Sequence, residues 1–162
     1  MNGETDARND YMAFVVASAL PARRRLIRNA IPKYMTPVHQ DDMTGSRVVA
    51  IWIGDHRDEL DLDQYMMERF EVEYGFTMNE RRMPETDTRP EPVPVAELLK
   101  GFSMWESWYD SALFGCAKLE IDCGASAVVF HFLRFSPERC KVAEMTGLRF
   151  VGNFDWPEIS KG

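Results

Sequence analysis

A small, largely antiparallel sheet with helices packed on one face, preceded by an N-terminal appendage, is the α+β fold this sequence predicts. Three observations carry it. Residues 47–54 and 127–135 are runs of β-branched and aromatic residues that read as buried strands. Residues 148–154 alternate more and read as a third strand. Two helical patterns with a proline-rich stretch between them separate the first strand from the others, an order that gives a sheet with helices laid on it. At 162 residues and 18.7 kDa the chain suits one core. Its 45% hydrophobic and 28% charged residues exclude wholesale disorder and fibrous architectures.

Residues 1–45 are expected to be the appendage and residues 46–162 the single domain. The apolar stretch at 11–20 is about half of what a membrane span needs. Glu4, Asp6 and Asp10 precede it and Arg23, Arg24 and Arg25 follow, the reverse of a secretory signal. It reads as an amphipathic segment interrupted at Pro21 and ended by Pro32 and Pro37. Arg23, Arg24, Arg25 and Arg28 read as a solvated face rather than a nucleic-acid or membrane contact.

The strand at 47–54 ends at Gly54 and carries apolar side chains on both faces, Trp52 among them. A helix should follow, capped by Asp55 or Asp58, with acids in its first turn and Leu62, Tyr65, Met66, Phe70 and Tyr74 at helical spacing. Gly75 is its natural stop. Pro84, Pro90, Pro92 and Pro94 suppress regular structure, so an extended surface loop is expected over 84–94. A short helix at 95–100 should end at Gly101. Ser103 and Glu106 match a capping box opening a helix to about Phe114, with Gly115 just past its end. Trp105, Trp108, Tyr109 and Ala112 would form its apolar face. Ser136-Pro137 could start a helical turn or a loop, and residues 141–145 a short strand. Thr146-Gly147 signals a turn before the last strand, which carries Phe150 and Gly152.

Net charge is −7 and is unevenly spread: +1 over residues 1–45, −6 over 46–100 and −2 over 101–162. A generic nucleic-acid binder needs the opposite balance. Between Asp55 and Glu73, eight acids face only Arg57 and Arg69, which predicts an anionic field projected into solvent. The three cysteines, Cys116, Cys123 and Cys140, cannot all pair, and a reduced, cytoplasmic setting follows most simply.

Catalytic signatures are scarce. His56 and Glu59 have metal-ligand spacing, but so do the acids of most charged helix starts. His131 lies in an apolar strand and reads as a hydrogen-bonded core histidine rather than the partner of a nucleophilic cysteine. The sequence has no P-loop, GxGxxG, GxSxG or HExxH. No catalytic residue, metal or cofactor is assigned, and the acidic balance suits a protein that binds a basic partner.

Three stretches in order resemble the immunity protein 22 family of bacterial polymorphic-toxin loci. They are residues 48–70, with Ile-Trp-Ile-Gly then an acidic helix containing Glu59-Leu60 and Tyr65; residues 98–107, a small helix followed by Ser-x-x-Glu; and residues 127–135 followed by Leu-Arg-Phe-Val-Gly at 148–152. Residues 1–45 have no counterpart, and residues 75–82 depart from the family's aromatic-acidic stretch. The resemblance implies a cytoplasmic, non-enzymatic antitoxin that silences a cognate toxin, often a basic nuclease, by direct binding, with no nucleic-acid or membrane contact of its own. The expected toxin-binding residues are Asp55, Asp58, Glu59, Asp61 and Asp63 on the helix start, with Glu85, Asp87 and Glu91 in the proline-rich loop. Trp52, Gly54, Ser103, Trp105, Glu106, Trp108, Phe150 and Gly152 are expected to be structural. The rival readings are a metal-dependent or thiol hydrolase built around His56, Asp58 and Glu59, and an acidic adaptor without a toxin partner.

Overall fold

A computed structural model describes residues 37–142 and 147–157. The stretch at 11–20, the arginines at 23–28 and most of the short strand expected at 141–145 lie outside the described residues. The chain enters with β1 (Val38–His39) and a 3-10 turn (Gln40–Met43), then β2 (Thr44–Gly54). α1 (Glu59–Tyr65) continues through a π-helical turn (Met66–Phe70) into α2 (Glu71–Tyr74), and β3 (Phe76–Thr77) pairs parallel with β1. β4 (Glu85–Pro94), α3 (Val95–Leu98), α4 (Trp105–Lys118), β5 (Cys123–Leu133), α5 (Pro137–Cys140) and β6 (Leu148–Asp155) follow. The main sheet is antiparallel, in the order β4-β5-β2-β6, so the fold is α+β.

The helices cover both faces of this sheet, not one. Residues 48–53 of β2 are all buried, so each face must be sheltered. On one side Ala50, Trp52, Val128 and Phe130 pack with Leu62, Tyr65, Phe70 and Tyr74 of the α1–α2 run. Trp52 is fully buried there, with the rings of Phe70, Tyr74, Phe130, Phe135 and Phe150 at 4.8–5.5 Å. On the other side Val49, Ile51, Ile53, Ala127 and Val129 meet Leu98, Leu99 and the α4 stripe Trp108, Ala112, Cys116. The expected α1 spacing is the buried spacing, and Gly75 closes α2 in the left-handed conformation (φ 67°).

Four further expectations are corrected. The domain begins before residue 46: β1 is hydrogen-bonded to β3, and Gln40 and Met43 are buried. The proline-rich stretch is the edge strand β4, not a loop. Its pairing with β5 breaks between Thr88 and Val93, and the break takes in Pro90 and Pro92, while Pro94 closes the strand. An edge with a bulge is where a strand tolerates residues lacking an N–H. The capping box does not form. The Ser103 amide donates to Glu85 Oε2 (2.9 Å), and Met104 occupies the cap position in the left-handed region (φ 56°) with no side-chain cap. Glu85 thus holds the chain against β4 and turns Ser103 away from the helix amides. Gly115 sits inside α4 rather than after it, at a point where a Cβ would come within 2.6 Å of the Phe154 ring.

Candidate functional site

The acids gather where β2 ends and β5 begins. After Gly54 the chain is anchored by the His56 amide, which donates to Ser126 Oγ (3.2 Å). Asp58 then caps α1, its carboxylate accepting from the Asp61 amide at 2.8 Å, so of the two candidate caps this one acts. His56 lies over the Tyr65 ring at 4.8 Å, and its Nδ1 meets Asp61 Oδ2 at 2.8 Å. The ring is therefore paired with Asp61, not with Glu59 as the metal reading would need. Burial, with Glu59 beside it, raises the Asp63 carboxyl above the ordinary carboxylate range.

Arg57 joins this helix start to the β4 bulge: it reaches Glu91 Oε2 at 3.1 Å and Asp55 Oδ2 at 3.9 Å. Asp55, Asp58, Glu59, Asp61 and Asp63 are all exposed, as is Glu91. The other two β4 acids are elsewhere. Asp87 pairs with Arg89 at 2.9 Å. Glu85 lies on the α4 face of the sheet, where burial would raise its pKa. The hydrogen bond from Ser103 and the neighbouring His131 outweigh that and hold it low. His131 Nε2 stands 3.2 Å from Glu85 Oε1, and burial lowers its pKa against the pull of that carboxylate. It is a half-buried histidine in ion-pair range, off the alignment of a hydrogen bond.

Two of the eight acids between Asp55 and Glu73 face inward. Glu71 accepts from the Met78 amide (2.9 Å), and Glu73 accepts from the Tyr65 hydroxyl (2.5 Å) while pairing with Arg69 (3.1 Å). They secure the α1–α2 run rather than the external field. The field gains two acids that the sequence had not singled out, Glu120 and Asp122. With Asp55 and Arg149 they line an open hollow of about 670 Å3, whose apolar lining includes Ile53, Ile121 and Leu148. No sequence signal ties Glu120 or Asp122 to Asp55; the antiparallel register of β5 on β2 does.

The three cysteines differ in exposure and acidity. Burial pushes the Cys116 thiol up to about 11 and raises Cys140, whose Sγ lies 3.4 Å from Met43 Sδ. Cys123 is exposed. Among the described residues, no three His, Cys, Asp or Glu side chains are grouped to hold a metal ion, and no helix is long and apolar enough to cross a membrane. No protein-family model, no curated protein and no solved structure matches this chain.

Proposed function

We propose that this protein is a non-catalytic immunity protein that silences a cognate toxin, of the nuclease type, by binding it directly in the cytoplasm. The observation that carries the reading is the concentration of exposed acids, Asp55, Asp58, Glu59, Asp61, Asp63, Glu91, Glu120 and Asp122, around one end of the sheet. Such a field attracts a basic surface from a distance and repels nucleic acid. Asp55 and Glu91 share Arg57, Asp58 caps α1 and Asp61 meets His56, which leaves Glu59, Asp63, Glu120 and Asp122 for an incoming partner. They sit on a helix start and a strand end fixed by buried layers, which gives the acids defined positions. The proline-bearing bulge of β4 brings Glu91 to the same rim and supplies a rigid, shaped neighbour for specificity. The resemblance to the immunity protein 22 family supports the same function.

The test is co-expression. Cells making the toxin encoded beside this chain should survive only when this protein is present, and the two should co-purify. Survival without a complex, or a metabolic operon in place of a toxin gene, would overturn the proposal.

A further inference from the structure

We infer that the chain's own basic segment, residues 23–33, docks in the acidic hollow and shields it until a partner displaces it. The charge balance within the molecule points there. Residues 1–36 hold six bases, five of them (Arg23, Arg24, Arg25, Arg28, Lys33) within eleven residues that contain no acid, against three acids in all. Residues 1–36 together are +3, and the rest of the −7 chain is therefore −10. The hollow offers the complementary chemistry: Asp55, Glu120 and Asp122 against the single base Arg149, with Ile53, Ile121 and Leu148 as apolar lining. Leu26, Ile27 and Ile31 alternate with the bases, so the segment carries apolar side chains for the lining as well as guanidinium groups for the acids.

The reach is sufficient. The described chain starts beside Gly75, whose carbonyl accepts from the Val38 amide at 3.3 Å. Gly75 closes the helical run that Asp58 opens, a run of about 26 Å at the helical rise per residue. The ten residues from Arg28 to Val38 extend to ~33–36 Å, enough to pass back along that run to its acidic start. Tethering holds the segment at an effective concentration in the millimolar range, so a weak electrostatic contact is populated at low salt. A basic partner then binds by exchange, and the inference holds whether or not that partner is a toxin.

The experiment uses the full chain without any partner. Cys123 lines the hollow and is exposed, whereas Cys116 and Cys140 are buried, so a nitroxide can be placed on Cys123 alone. At low salt the amide NMR signals of residues 23–33 should lose most of their intensity. They should recover in about 1 M salt, where the Debye length falls to ~3 Å, and in the Arg23→Gln/Arg24→Gln/Arg25→Gln/Arg28→Gln variant. A label-free comparison guards against obstruction by the nitroxide: the same variant should shift the amides of Ile121, Gly124 and Arg149 at low salt. Unchanged signals in both measurements would overturn docking. Intensity loss seen only when labelled and isotopically enriched chains are mixed would also overturn it, since the occupant would then be a second copy. Neither failure touches the toxin proposal, because no partner is present.

Discussion

Truncating Trp108 tests whether α4 really closes the second face of the sheet. The indole is fully buried among Leu98, Leu99, Ile51 and Val129, while Trp105, one turn earlier, is half-buried. A Trp side chain hides roughly 200 Å2 or more, about 5 kcal/mol at ~25 cal/mol/Å2, an upper estimate because the unfolded chain already hides part of it. Large-to-small Trp→Ala changes in cores cost ~3–5 kcal/mol. Trp108 Nε1, however, is buried without a hydrogen-bond partner, and removing an unsatisfied donor returns ~1–3 kcal/mol. Trp108→Ala should therefore fall at the low end, about 3 kcal/mol. Trp108→Phe keeps most of the apolar area and deletes the orphaned N–H, so it should change stability by less than ~1 kcal/mol. Trp105→Ala, with half the burial, should cost about 1–2 kcal/mol. Urea unfolding with the m-value checked for constancy gives all three numbers. If Trp108→Phe cost as much as Trp108→Ala, the indole nitrogen would have to be engaged and the arithmetic would fail. Equal losses for Trp105→Ala and Trp108→Ala would mean that α4 is rotated on the sheet.

Asp58→Ala should cost ~1 kcal/mol through the lost α1 cap and Asp58→Asn much less, whereas Ser103→Ala removes no cap, only an exposed hydroxyl beside Glu85, and should cost less than ~0.5 kcal/mol, all read by thermal unfolding. Replacing Asp55, Glu59, Asp63 and Glu91 by their amides spares the two acids that hold the helix start, Asp58 and Asp61, and should keep the fold within ~0.5 kcal/mol per site. In stopped-flow mixing with the neighbouring toxin that variant should associate more slowly at low salt and show a flatter salt dependence; an unchanged rate would move the contact off this surface. Stability should fall on acidification in two stages. The folded state resists protonating His131, so stability is lost as pH drops through the ordinary histidine value of 6.5. Glu85, held below its ordinary 4.5, adds stability above that value that is lost as pH falls toward its lowered pKa, and pH-dependent urea midpoints in His131→Gln and Glu85→Gln would separate the two. A thiol reagent should modify Cys123 quickly, and Cys116 and Cys140 only on unfolding.

The elements legible in the sequence are those whose cause is local. Alternation and β-branching mark β2, β5 and β6, because a strand's burial is written in its own residues. The same holds for the α1–α2 run: Leu62, Tyr65, Met66, Phe70 and Tyr74 share one buried face, Asp58 caps it, and Gly75 has the freedom to end it. The exposed acids of the helix start were legible for the same reason, since an amphipathic period assigns the outer face along with the inner one.

Contacts distant in the chain decided the rest. Ser103 carries a sound capping sequence, yet a carboxylate eighteen residues earlier takes its amide, and tertiary geometry overrides a preference worth about 1 kcal/mol. Four prolines argue against a strand until the stretch is placed at a sheet edge, where the break in pairing takes in two of them. Gly115 looks like a helix stop and is instead where α4 approaches Phe154. Glu71 and Glu73 belong by composition to the anionic field, but Met78, Tyr65 and Arg69 draw them inward. Glu120 and Asp122 meet Asp55 only because β5 runs antiparallel to β2 and brings its first residues to the end of that strand. Local pattern thus determined the apolar faces of the strands and of the α1–α2 run and the exposed acids at the helix start; tertiary partners and strand register, which no short window of sequence contains, decided which charges turn inward and which stand together.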